Sequence, residues 1–416
     1  MIGNKEIDKH NTLASTRVLD LTDEKGFLCG KILGDLGADV IKIEKPGGDA
    51  ARHIGPFYHD IPDPEKSLYW WAFNTSKRGI TLNIETRDGQ EIFKRLAKNK
   101  NVVIVESFPP GHMARLGLDY TELSKTNPGL IMASITPFGQ SGPYKDYKAS
   151  DITINAMSGF MYTCGDADRA PLRFSIEQTY PHAGLHAAMA SIFARYYYQL
   201  TGEGQYIDVS MRDCLILGFI PSVAYTTGVN VQRPGPFVIR YLRKRNVFQC
   251  KDGYVSTHIQ LGRLVDKTIH LVDWMHEGRM DKGLKELDWT KYENTNTSQE
   301  QIDQWDEIIG EFFLTHTKDE IAEGSLGRDI MLFPVNNAKD LLENKQLMER
   351  NFWEYVEHPE LNTTIIYPGK PFKSTKDRWR ISRRAPLIGE HNKEIYIDEL
   401  GFTNGELVKL KQGGVI

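Results

Sequence analysis

The sequence predicts an α/β fold: a Rossmann-like large domain carrying a smaller inserted α+β domain. Three observations carry that expectation. Short apolar strands alternate with helical patterns through the N-terminal part, basic or glycine-rich segments follow the strands, and the alternation breaks beyond Met211. At 416 residues the chain is too long for one ordinary core. We expect 1–225 to form the N-terminal part of the large domain, 226–330 the small domain, and 331–416 the return to the large one.

Arg17 to Thr22 reads as a strand, Asp23 to Gly26 as a turn, Phe27 to Leu36 as a helix and Val40 to Glu44 as a second strand, which makes one β-α-β unit. Gly26, Gly30, Gly34 and Gly37 sit where strand gives way to helix. Their spacing is not Gly-x-Gly-x-x-Gly, which argues against a nicotinamide or flavin site. Lys45 to Asp49 and Arg52 follow the second strand, at the edge where ligands of open α/β sheets bind. Asn74 to Asn83 is a turn entering a strand, Thr86 to Ala97 an amphipathic helix and Val102 to Glu106 a buried strand. The loop Ser107 to Gly111 runs into His112 to Leu116, where Arg115 reaches toward the same edge. Leu130 to Ile135 is the next strand, and Phe138 to Tyr144 is too rich in turn formers for regular structure.

The stretch Ile176 to Met211 is the centre of the chain. From Ala183 to Leu200 it is apolar on nearly every face, the pattern of a helix buried on all sides. Gly202 is placed to cap it in the left-handed conformation, and Tyr206 to Met211 resumes as a strand. Further on, Gln232 to Pro236 reads as a linker, Val247 to Gln249 and Tyr254 to Ser256 as strands, Leu264 to Met275 as a helix and Asp288 to Asp303 as a polar surface excursion. The basic run Arg240, Arg243, Lys244 and Arg245 reads first as a solvated charge run and second as an anion clamp.

A net charge of −4 argues against nucleic acid or an anionic membrane surface as partner. Cys29, Cys164, Cys214 and Cys250 form no Cys-x-x-Cys pair and read as thiols of a reducing cytosol rather than metal ligands. Met1 to Thr16 has no apolar signal core, and no run of about 18 apolar residues occurs, so a cytoplasmic protein is expected.

In this order, several blocks resemble the class III coenzyme A transferases. They are Arg17 to Arg52 with its Leu-Gly-Ala-Asp-Val-Ile-Lys-Ile-Glu core, Asn74 to Leu82, Glu106 to Gly117, Phe138 to Tyr144, Thr201 to Met211, Lys251 to Val255 and Ala385 to His391. The resemblance implies two chains threaded through one another as interlocked rings. It also implies an aspartate carboxylate that takes up acyl and then CoA as a thioester, with acyl-CoA as substrate and neither a metal nor a redox cofactor. The positions it assigns to CoA are Lys45, Lys77, Phe108 and Arg115, with Ser107, His112 and Leu116 matching more loosely. CoA's phosphates need cationic or backbone donors, and its adenine stacks on apolar side chains.

The resemblance breaks at the nucleophile. The family's aspartate stands four residues before the glycine of the buried helix; here that glycine is Gly184, and Tyr180 occupies the place. A phenol titrates near pH ~10 and has no acyl carbon on which a thioester can form. Three readings follow. In the first, this chain is the non-nucleophilic subunit and a homologous partner supplies the aspartate, the arrangement of the benzylsuccinate CoA-transferases of anaerobic toluene breakdown, which this chain resembles most among heteromeric members. In the second, Glu177 or Asp151 is the nucleophile. In the third, the chain is an acyl-CoA racemase or a CoA-binding protein, with His182 or His186 moving protons. Thr136 departs too, standing where some members carry a lysine, and Arg173 is available to an acidic acceptor.

Overall fold

The computed structural model describes residues 13–166, 168–218, 224–228, 237–239, 242–376 and 379–416. The expected linker Gln232 to Pro236 and Arg240 lie outside the described residues. The chain divides into two compact units: Met1–Phe160, Arg173–Ile220 and Met348–Ile416 in the first, Met161–Leu172 and Pro221–Leu347 in the second. The sequence pattern drew the small segment as 226–330.

In the first unit the elements run β1 (Arg17–Leu21), α1 (Phe27–Asp35), β2 (Asp39–Glu44), α2 (Leu68–Phe73), β3 (Lys77–Thr81), α3 (Arg87–Ala97), β4 (Val102–Glu106), α4 (His112–Arg115), α5 (Tyr120–Ser124), β5 (Ile131–Thr136), α6 (Asp151–Met157), α7 (Thr179–Thr201) and β6 (Gln205–Ser210). The six strands pair in the order β3-β2-β1-β4-β5-β6, and every pairing is parallel. That is the doubly wound arrangement the β-α-β reading predicts. Strand residues alternate between two cores, as the two-residue period of a strand requires. Leu19, Ile41, Ile80 and Ile104 pack with α3 and with the C-terminal Ile395, Tyr396, Val415 and Ile416 on one face. Val18, Val40, Val103 and Ile131 pack with α1 and α7 on the other.

Buried charges in this unit centre on Asp20 and on Glu44. Lys77 Nζ donates to Asp20 Oδ2 (2.8 Å), Asn74 Oδ1 (2.9 Å) and the Phe27 carbonyl (3.0 Å). Lys42 donates to the Thr22 carbonyl, with Asp20 Oδ1 3.7 Å from its Nζ. Arg52 grips Glu44 through Nε (2.6 Å) and Nη2 (2.8 Å) while its guanidinium lies 3.8 Å over the Trp70 ring.

α7 departs from the expectation of burial on all sides. It starts at Thr179, earlier than the apolar run, and its buried residues, among them Thr179, Tyr180, Ala183, Gly184 and Ala187, face α1 and the sheet. Leu185, Met189, Phe193, Tyr196, Tyr197 and Leu200 form a stripe with each side chain between 46% and 68% exposed in the single chain. The stripe follows the three- to four-residue spacing of a helix face, so the sequence reports an apolar face without reporting what covers it. Gly202 caps the helix with φ 78°, as expected.

The second unit pairs Val247–Cys250 with Gly253–Ser256 and that strand with Phe333–Pro334, all antiparallel, together with the helices Val265–Glu277, Gln299–Leu314 and Lys318–Leu326. The segment 288–303 is largely exposed, as a surface excursion is, but it is anchored by buried side chains. Trp289 is buried against Trp305 at 4.7 Å between ring centroids, and Ile302 is fully buried near the start of a helix capped by Ser298. Most of its residues are polar, and Trp289, Tyr292 and Ile302 supply its apolar packing. In the basic run Lys244 is buried, donating to the Ile259 carbonyl (2.8 Å) and Asn294 Oδ1 (2.7 Å), whereas Arg243 and Arg245 are exposed. No helix is long and apolar enough to cross a membrane among the described residues.

Candidate active site

The C-terminal ends of β1, β2 and β4 open together on one rim of the sheet, because all strands run the same way. A cleft of about 260 Å³ sits there, lined by Thr22, Asp23, Glu44, Lys45, Ser107 and Phe108 among others. Lys45 is exposed at its mouth. Phe108 stacks on His112, with centroids 4.4 Å apart and planes at 23°. Arg115 Nη2 donates to His112 Nδ1 (3.1 Å), which leaves the ring proton on Nε2, 3.3 Å from Glu85 Oε1. Burial holds the imidazole pKa below its ordinary value against the pull of Glu85. Arg115 itself is largely exposed, and Leu116 packs against the core below.

Two sequence-assigned positions are less free than their letters suggest. Lys77 is fully buried with all three ammonium protons directed at protein acceptors, so it has no donor left for a phosphate. As placed, it ties β3 to β1 through Asp20. Ser107 donates to Asp23 Oδ1 (2.7 Å) and accepts from the Asp23 N–H (2.9 Å), fixing the turn after β1. Glu85, the acid beside His112 and Arg115, carried no sequence signal, since it lies in another loop.

The N-terminus of α7 lies beside α1: a Cβ added at Gly184 would stand 2.9 Å from Leu28 Cβ and 3.1 Å from the Cys29 nitrogen. Glycine there allows the helices to close up. Tyr180, one turn earlier, is buried, and its hydroxyl oxygen accepts from the Asp151 N–H at 3.1 Å. Burial pushes the phenol pKa upward, the hydrogen bond from the Asp151 N–H works against it, and the charges of Glu24 and Glu177 add to the push. Asp151 Oδ1 accepts from the Gln178 N–H (3.0 Å) and the Thr179 N–H (2.8 Å), so it caps α7 from another helix. Glu177 is exposed, and its Oε2 accepts from the Tyr69 hydroxyl at 3.0 Å. The Tyr69 partner is 108 residues away in sequence, which is why no local pattern announces it.

His182 and His186 each place Nδ1 on the carbonyl four residues back in their own helix, at 2.7 and 2.8 Å, as hydrogen-bonded helix residues do. Thr136 is fully buried and so does not stand in for a lysine reaching a substrate. Arg173 is exposed. Among the described residues no group of acids, histidines and cysteines is arranged to hold a metal.

The family model for CoA-transferase family III matches residues 13–392. The chain belongs to CoA-transferase family III. Among the relatives of this family is the succinyl-CoA:(R)-benzylsuccinate CoA-transferase subunit BbsE of Thauera aromatica, 34% identical over 96% of this chain and 97% of the relative. Another is a formyl-CoA:oxalate CoA-transferase of Streptomyces avermitilis, 30% identical over 97% of this chain and 99% of the relative. The crystal structure of a CaiB/BaiF family protein from Brucella suis superposes with a TM-score of 0.79 at 26% identity, covering 93% of this chain and 99% of that one. The acyl-CoA thioester is accordingly a substrate class of the family.

Proposed function

We propose that this chain is the non-nucleophilic subunit of a CoA-transferase that moves CoA from an acyl-CoA such as succinyl-CoA to a carboxylic acid such as benzylsuccinate. The observation that carries the reading is the state of α7's N-terminus: a buried phenol at the position where, by the sequence resemblance, the family has its acid, with the nearby Asp151 committed to backbone N–H groups. Asp151 is engaged as a helix cap, and Glu177 holds Tyr69. A carboxylate oxygen that accepts two helix N–H groups must give up those hydrogen bonds before it can attack a thioester.

In this reading a homologous partner supplies an aspartate. Its carboxylate attacks the thioester carbonyl and CoA leaves as the thiolate. The thiolate then attacks the aspartyl carbon of the mixed anhydride, which frees the donor acid and leaves an aspartyl-CoA thioester. The acceptor carboxylate repeats the sequence in reverse, so CoA ends on the acceptor and the aspartate is restored. This chain's part is to hold CoA, with Lys45 and Arg115 toward phosphates and Phe108 with His112 as a stacking face. The exposed apolar stripe of α7 supports a homologous subunit as its cover, a face of six large side chains that a lone soluble chain would leave in water. The subunit designation of the Thauera relative supports it as well.

The test is reconstitution. The chain purified alone is expected to exchange no CoA between succinate and benzylsuccinate, and activity is expected to appear on co-expression with an aspartate-bearing homologue. A homodimer that turns over unaided overturns the reading.

A further inference from the structure

The loop Ser382 to His391 lies along the outer edge of β3, and one of its histidines is held in a way that leaves a contradiction. The His391 N–H donates to the Gly79 carbonyl (2.9 Å), and the Gly79 N–H donates to His391 Nδ1 (3.1 Å). A backbone N–H in a strand cannot turn away, so Nδ1 must offer its lone pair and the ring proton must sit on Nε2. Burial keeps this imidazole's pKa below the ordinary value, Glu390 pulling the other way, so the ring carries a single proton at neutral pH.

Arg383 Nη1 lies 3.0 Å from that same Nε2. Guanidinium has only protons to give, so two donors face each other with no acceptor between them. At His112 the arginine sits instead on Nδ1, and Nε2 lies 3.3 Å from a carboxylate oxygen of Glu85. Arg383 is exposed, and among the described residues no carboxylate comes within ion-pair distance of it. Its neighbour Arg384 is the opposite case, satisfied by Glu360 (2.6 Å), by both oxygens of Glu390 (2.9 Å each) and by the Ala385 carbonyl (2.9 Å). Both arginines and His391 line a cavity of about 460 Å³, whose wall also carries Tyr355, Ile381, Ser382 and the acids Glu357 and Glu390, the latter paired with Arg384. That cavity shares no lining residue with the cleft at the sheet rim.

We propose that Arg383 and the His391 Nε2–H together form a binding site for a small oxyanion, a phosphate or carboxylate group whose oxygen lies between the two donors. An oxyanion turns the opposed donors into two charge-assisted hydrogen bonds and supplies the missing counter-charge to Arg383. The site does not depend on which subunit carries the nucleophile.

Nitrogen NMR of the histidine rings in the full chain, titrated with inorganic phosphate and separately with acetate, tests this. In the ligand-free protein the His391 proton is expected on Nε2, a reading that needs no variant. Phosphate or acetate is expected to shift the Nε2 resonance saturably while Nδ1 keeps its acceptor position, and the tighter of the two names the chemistry. Arg383→Met, a change at an exposed side chain, is expected to weaken that binding about tenfold or more without altering unfolding. A proton found on Nδ1, no saturable shift with either anion, or equal shifts in the wild type and Arg383→Met overturns the proposal.

Discussion

Removing the Asp151 carboxylate separates a structural role from a chemical one. Its Oδ1 receives two backbone N–H groups at the start of α7, at 3.0 and 2.8 Å, and Thr179 is buried, so water cannot fully replace the lost acceptor. A cap residue is worth up to about 2 kcal/mol and a charged acceptor adds to the interaction with the helix dipole. Asp151→Ala is therefore expected to lower unfolding free energy by about 2 kcal/mol. Asp151→Asn, which keeps an acceptor oxygen, is expected to lose about half as much. The assay is urea unfolding of the full chain, read beside CoA exchange in the complex with an aspartate-bearing homologue. If Asp151 only caps, exchange by the folded Asp151→Asn complex stays within a fewfold of wild type. Loss of exchange in a variant that unfolds like wild type would refute the reasoning and make Asp151 the nucleophile.

Other expectations concern single contacts. Lys77→Met should cost about 3–5 kcal/mol in unfolding, because Asp20 then keeps only the more distant Lys42 as counter-charge; a folded variant whose only defect is a raised KM for acyl-CoA would restore Lys77 as a CoA ligand. Gly184→Ala should destabilise by about 1–3 kcal/mol, since its Cβ would meet Leu28 at 2.9 Å, and a neutral result in urea would show that α1 and α7 are not so closely packed. Burial raises the Glu106 pKa to about 7 from 4.5. The folded chain therefore binds more protons than the unfolded one between those values, and this group's stabilisation, complete below pH 4.5, is lost as pH rises to about 7. Glu106→Gln should flatten that segment of the stability–pH curve, and an unchanged slope would show that Glu106 titrates normally.

Much of the sheet is legible because a buried parallel strand carries apolar residues on both faces: Val102 to Val105 does so throughout, and Val18 to Leu21 and Val40 to Ile43 do so except at Asp20 and Lys42. Lys77 is different: the resemblance assigns it to CoA, whereas its register in β3 carries it to Asp20, 57 residues away in the chain. The beginning of α7 was hidden for a related reason: its cap comes from α6 and not from a local Ser, Thr or Asp. Within 288–303 composition outvoted Trp289, Tyr292 and Ile302, which supply the apolar packing. The rim positions Lys45, Ser107, Phe108, His112, Arg115 and Leu116 follow from strand order, whereas Glu85 and Tyr69, which pair with His112, Arg115 and Glu177, come from segments with no motif at all.

Mass spectrometry of the intact subunits, after the reconstituted enzyme is incubated with succinyl-CoA and quenched, tests the central claim most directly. A hydroxylamine-sensitive CoA adduct is expected on the homologous partner, with the mass of this chain unchanged. An adduct on this chain, mapped to Glu177, Asp151 or any other side chain, would contradict the account.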